Sequence, residues 1–429
     1  MHRIIIKNFG PISNVEMDVT DIVILLGEQA TGKSTIAKLV YFFKTCSDEF
    51  ADVIASASDE FTKWITCKNA CISLLTRKFI NIFGLPKVFG KFEIVYHYES
   101  ETYIKINSND EKKINIALSN KIYDVLKKTW NELISIPKSA SLSQSKTLEI
   151  NHSKSDILYK LYSLFSDFPK PIYIPAGRAL LSRQSLLQLI QSDELRRVKQ
   201  SEPFSPFDIV DVTTRYYIAE VSRMRMKAVE IPADDLFLSY LKTTSREMLK
   251  GTYAYVNQTD YIQLDNSMLI PLSYSSSGQQ EIIWLLNILF HYATTKTESF
   301  VIIEEPETHL HPDAQYLLTK YIAAFRNKTS SGIFITTHSP YILSSFNNLF
   351  FAGKCGQTTE SEEAIDSVIP KHCWLSPKDF SAYIMENGSI RDIKDEELAM
   401  VDVAELDVVA SKQDTEYEKL LRIVKGEGK

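Results

Sequence analysis

The stretch "GEQATGKST", residues 27–35, limits the folds open to this chain more than any other. From Gly27 to Ser34 it satisfies G-x-x-x-x-G-K-[ST]. Two glycines and a lysine at that spacing build a loop whose backbone amides turn inward as a nest for phosphate. Such a loop needs a buried strand before it and a helix after it. "DIVILL" is a continuous apolar run, as expected of a strand covered on both faces. "TIAKLVYFFKTC" then repeats apolar residues at three and four, the helical period. At the start, "RIIIKNF", "GPI" and "NVEMDV" read as strand, turn and strand. The chain is therefore expected to be α/β with a mixed sheet.

The chemistry of the loop follows from its residues. Gly32 lets the backbone approach a phosphate closely, Lys33 reaches the β- and γ-phosphates, and the Ser34 hydroxyl is placed for Mg²⁺. The following helix points its positive end at the same charge. Gly27, Gln29, Ala30, Thr31, Gly32, Lys33, Ser34 and Thr35 are the candidate nucleotide ligands.

Three further stretches carry chemistry. "SFVIIEEPETHLHP" is an apolar strand ending in acids. Glu304 is the candidate metal ligand beside Ser34, and Glu305 the candidate that polarises attacking water. "SYSSSGQQEIIWLLNILFHYA" is a serine-glycine turn opening an apolar helix, where Ser276, Gly278 and Gln279 can form a second anion site at a helix N-terminus. "SGIFITTHSP" is a strand ending in His338, a candidate to contact the γ-phosphate or orient water.

Ser276, Gly278 and Gln279 fit S-x-G-Q. With the loop, the acidic strand and His338 in this order, the chain resembles ABC-type ATPases. The departure is Ser275, where leucine is usual. "EEPETHLHP" resembles the SMC/OLD-like branch, over roughly residues 1–45 and 260–350. "IYIPAGR" resembles a segment of OLD-like ATPases in bacterial defence, and its Arg178 has phosphate, nucleic acid or a neighbouring acid as possible partners. The resemblance implies ATP and Mg²⁺ as ligands. It also implies a homodimer in which the Ser276 turn of one copy meets the γ-phosphate held by the other. His309 and His311 have metal-like spacing, but the resemblance makes them part of the dimer-facing loop. Gln184 is a weak candidate for the glutamine of a metal-sensing loop.

The organisation expected is an ATPase head from residues 1–45 and 260–350, a mainly helical insertion at 46–259 with some strand, and a C-terminal extension at 351–429. Within the insertion, "KFEIVYHYES" reads as strand, "KIYDVLKKTWNELISI" as helix, and "KSASLSQSKTLEINHSKS" as loop. "YIQLDNSMLIPL" reads as a hairpin, and the Asn-Gly pair in "FSAYIMENGSIRDI" signals another. No repeat or heptad pattern accompanies them.

Composition narrows the setting. The sequence has 429 residues, 44% of them hydrophobic, and a net charge of −6. No apolar run approaches the roughly 20 residues of a membrane span, and "MHRIIIKNFG" lacks the long apolar core of a signal peptide. A cytoplasmic protein is expected. A global positive field for nucleic acid is absent, so such contacts need a local patch. Five scattered cysteines argue against a disulfide framework, and Cys67 and Cys71 in "CKNAC" read as neighbours on a helix face.

An OLD-type TOPRIM nuclease needs a strand-borne Glu and a later Asp-x-Asp, and neither pattern follows His338. The resemblance to Septu- and PARIS-like systems then implies an ATPase that regulates a separate effector in anti-phage defence. The alternative is a DNA-repair clamp, against which the lack of heptads counts. A small-molecule kinase or GTPase leaves "SSSGQQE" unexplained.

Overall fold

The computed structural model describes residues 2–60, 63–84, 90–108, 113–136, 155–165, 171–179, 212–225, 235–356, 362–378, 380–395 and 400–401. The expected loop "KSASLSQSK…", Gln184 and the tail beyond 401 lie outside them.

The first strands are β1 (His2–Phe9), β2 (Ile12–Val19) and β3 (Ile22–Gly27). Then come β4 (Glu93–Glu99), β5 (Thr102–Ser108), β6 (Ile114–Leu118) and β7 (Pro171–Ile174). A separate three-stranded sheet holds β8 (Thr252–Val256), β9 (Thr259–Gln263) and β10 (Leu269–Pro271). The last strands used below are β11 (Phe300–Glu304), β12 (Gly332–Thr337), β13 (Phe380–Glu386) and β14 (Ser389–Asp392).

Among the described residues the main sheet runs β6-β5-β4-β1-β2-β14-β13-β3-β12-β11-β7. The half from β13 to β7 is parallel; β1, β2, β4, β5 and β6 pair antiparallel. Residues 93–118, within the expected insertion, thus extend the sheet through β1, and β7 forms its other edge.

Side chains alternate across the parallel strands into two cores. From β3, Ile22, Ile24 and Leu26 face one core and Val23 and Leu25 the other. β12 divides likewise, with Ile333 and Ile335 opposite Phe334. This double cover explains why "DIVILL" is unbroken by polar residues.

One face is covered by α1 (Lys33–Lys44), α2 (Cys46–Glu60), α3 (Trp64–Phe83) and α4 (Asn120–Ile134). The other is covered by α5 (Val212–Arg225), α6 (Leu236–Leu249), α7 (Ser277–Thr295), α8 (Pro312–Thr329) and α9 (Pro340–Cys355). Cys67 and Cys71 are both buried on α3, as neighbours one turn apart. No described helix is long and apolar enough to cross a membrane.

Two turns shape the phosphate loop from a distance. Asn387 and Gly388 join β13 to β14 with φ of 48° and 75°, the pairing a type I′ hairpin requires. The Gly388 carbonyl accepts from Ser13 N (2.8 Å) and Asn14 N (3.2 Å), which docks this hairpin on the β1–β2 turn. A Cβ on Gly32 would lie 3.1 Å from Pro11 Cγ and 3.0 Å from Ile12 Cγ1. One on Gly27 would lie 2.8 Å from Met385 Cβ. The loop is therefore held between the first hairpin and β13.

Candidate functional site

The carboxyl ends of β3, β12 and β11 lie side by side, where ligands bind in parallel α/β sheets. Glu304 pairs in register with Thr336, and Thr337 with Leu26. The phosphate loop, the acids and His338 therefore meet at one edge.

Ala30 (φ 64°) and Gly32 (φ 106°) give the loop its left-handed turns. Gly32 caps α1, so the cap residue itself has no side chain to bond the first amides of that helix. Lys33 is 5% exposed, and its Nζ donates to the carbonyls of Gly27 and Glu28, 2.7 Å each. Burial lowers its pKa below the ordinary lysine value, against the opposing pull of Glu305, Glu307 and Glu304. Those three carboxylates are thus near enough to act on the lysine. Glu28, Gln29, Ala30 and Ser34 are exposed, and Thr35 is half-buried. Thr31 Oγ1 donates to Glu28 O (2.8 Å).

At the end of β11, Glu304 is 5% exposed. Its Oε2 receives a long contact from Ala176 N (3.5 Å), while its Oε1 is buried with no hydrogen-bond donor among the described residues. A buried carboxylate oxygen in that state is costly, and a hard cation relieves it. The donor set fits Mg²⁺: one carboxylate from Glu304, the Ser34 hydroxyl, and the rest from phosphate and water.

Glu305 adopts φ 41°, uncommon outside glycine. The strain is held by its surroundings: its N–H donates to Thr336 O (2.9 Å), and its carbonyl accepts from Thr308 N (3.2 Å) and Thr308 Oγ1 (2.9 Å). The turn aims the side chain towards the β12 end, where Glu305 Oε1 is 3.9 Å from His338 Nδ1.

Glu307 was not singled out from sequence, yet it organises this corner. It is 5% exposed, and its Oε1 accepts from Thr337 Oγ1 and His338 N, 2.8 Å each, and lies 3.3 Å from His338 Nδ1. Ser339 Oγ donates to Gln315 Oε1 (2.5 Å), and Ser339 N to Thr337 Oγ1 (3.0 Å). The only sequence signal was a third acid in "EEPE", two positions past Glu305.

At the start of α7, Ser276 and Gln279 form a capping box. Gln279 N donates to Ser276 Oγ (3.3 Å), and Ser276 N and Oγ both donate to Gln279 Oε1 (3.0 Å each). Gln279 Nε2 donates to Leu249 O (2.7 Å). Gly278 packs on the acidic-strand loop, since a Cβ there would lie 2.8 Å from His309 O. That loop ends at His311, which caps α8 through Asp313 N (3.4 Å).

Arg178 lies near the acids but meets no solvent. It is 1% exposed and bound to Glu281 and to carbonyls, so a neighbouring acid is its partner.

The AAA ATPase domain family model matches residues 1–173 and 218–343, which contain the phosphate loop, β11, β12, His338 and the Ser276 turn, while Arg178, β13 and β14 lie outside. The chain belongs to the AAA ATPase domain family. It is accordingly an ATP-binding protein and an ATP hydrolase. No functionally curated protein matches the sequence. Among solved structures, it is similar to an Smc head bound to the C-winged helix domain of ScpA, at 10% identity and TM-score 0.41, covering 91% of this chain and 96% of that one. It is also similar to the SMC head domain from Thermotoga maritima, at 10% identity and TM-score 0.35, covering 91% and 97%. A third is the Smc head domain with an extended coiled coil bound to the C-terminal domain of ScpA, from Pyrococcus furiosus, at 10% identity and TM-score 0.37, covering 92% and 96%.

Proposed function

We propose that this ATPase is a regulatory subunit that closes as a dimer on ATP and reopens on hydrolysis. The Gly27–Thr35 loop holds the phosphates, and Ser34 with Glu304 holds Mg²⁺, which supplies charge neutralisation at the transferring phosphoryl group. Glu305 takes up a proton from attacking water. His338, fixed by Glu307, orients that water or contacts the γ-phosphate. Ser276, Gly278 and Gln279 complete the pocket of the second copy.

The observation that carries the two-copy reading is the start of α7. Ser276 and Ser277 are exposed at the positive end of a 19-residue helix, in a chain that already has its own phosphate loop. The test is ATP turnover per subunit as protein concentration rises. The rate climbs and saturates if pockets are shared between copies; a flat rate contradicts the sharing.

The work done by closure is assigned to a separate effector, a nuclease or toxin, in prokaryotic anti-phage defence. The likeness of "IYIPAGR" and "EEPETHLHP" to OLD-like ATPases supports this reading. In the native host, Lys33→Ala should remove protection against phage. Undiminished protection would contradict the role.

A further inference from the structure

Arg178 and Glu281 are a buried ion pair outside the phosphate loop, with side chains 1% and 2% exposed. Glu281 sits on α7, five residues past Ser276. Its carboxylate accepts from Arg178 N (2.8 Å) and Ala179 N (3.1 Å) and lies 3.4 Å from Arg178 Nε. The guanidinium distributes its other bonds. Nε donates to Glu281 O (3.0 Å), Nη1 to Pro175 O (3.0 Å) and Glu304 O (2.9 Å), and Nη2 to Glu305 O (3.3 Å). One rigid plane thus joins the first turns of α7 to the backbone of both candidate acids.

Burial obliges the guanidinium to find acceptors for all its donors, and here two of those acceptors are the carbonyls of Glu304 and Glu305. The arginine thereby holds the carbonyl of Glu305, whose left-handed backbone must be fixed from outside. A shift of α7 is therefore delivered to the place where the acids leave β11. We infer that Arg178 is a positioning residue coupling the Ser276 end of α7 to Glu304 and Glu305 of the same chain. Nucleotide from a second copy, on meeting α7, sets the acids of the first copy for hydrolysis. This rests on the reading above, in which Glu305 acts on water and Ser276 meets the other copy's nucleotide.

Arg178→Lys in the full chain tests it. The lysine keeps a charge beside Glu281, but one ammonium cannot span four carbonyls on three segments. We expect kcat to fall about tenfold or more, with KM for ATP and the ATP-dependent gain in mass within about twofold of the unmodified protein. Glu281→Gln should lower kcat in the same direction, and the double variant should fall short of the product of the two effects. If Arg178→Lys lowers thermal stability but leaves kcat within about twofold, the pair is structural and the inference fails. Joint loss of ATP binding, dimer and turnover also overturns it. Glu305→Gln, assayed alongside, separates the two claims. If it turns over ATP normally, the reading of the site fails. If it is inactive while Arg178→Lys is active, only the coupling fails.

Discussion

The molecule has two helix starts suited to phosphate, and they are built differently. At α1 the cap is Gly32 in a left-handed turn, with no side chain of its own to bond the first amides, and Lys33 is buried. At α7 the cap is Ser276, and Gln279 closes a reciprocal box over it. The first is open to the phosphate of nucleotide bound by its own chain. The second is already satisfied internally, so gripping a phosphate there requires the Ser276 hydroxyl to turn from Gln279 Oε1. The open start is suited to hold nucleotide continuously, and the closed one to respond when a second copy presents it.

The largest effect on ATP binding that would sharpen this contrast is at the open start. Lys33→Ala should weaken ATP binding on the order of a hundredfold, since it removes charge-assisted bonds to phosphate. Titration calorimetry measures it; near-normal affinity would break the assignment. Glu305→Gln comes next, with turnover lowered about 10²–10⁴-fold, as for loss of a general base, and ATP binding kept.

At the closed start the expected effects are smaller and of another kind. Ser276→Ala should cost about 1 kcal/mol of stability through the lost cap. It should also slow turnover while leaving ATP affinity intact. An affinity loss matching that of Lys33→Ala would erase the distinction between the two starts.

The smallest prediction concerns the helices on the α1 side of the sheet. Burial, ahead of all other influences, raises Asp48 of α2 from 3.8 to about 6. The folded state then binds the proton more readily than the unfolded one, so this residue makes stability rise as pH falls from about 6 towards 4. At pH 7 both states are ionised and the folded state bears the burial cost. Asp48→Asn should therefore raise Tm by a few degrees at pH 7 and flatten that pH dependence. A lower Tm at pH 7 would contradict the assignment.

What the sequence made legible was local. The phosphate loop is nine consecutive residues, and its flanking strand and helix announce themselves by apolar continuity and period. Both hairpins were readable, since Asn387–Gly388 supplies the positive φ its turn demands. What was hidden depends on contacts across the chain. Nothing in "GEQATGKST" says that Gly27 must fit against Met385. The role of Glu307 appears only when β11 and β12 bring Thr337 and His338 beside it. Arg178 has three possible partners in the sequence, and only packing selects Glu281. The usable signal was Glu281 itself, a lone charge at the head of the apolar run "IIWLL".

The account depends most on a second copy engaging α7. The direct measurement is the solution mass of Glu305→Gln with ATP and Mg²⁺, alone and combined with Ser276→Arg. The account predicts that mass doubles with ATP for Glu305→Gln. It predicts a single-copy mass once Ser276→Arg is added, with ATP affinity retained. A mass that never doubles, or one that doubles regardless of Ser276→Arg, would contradict it.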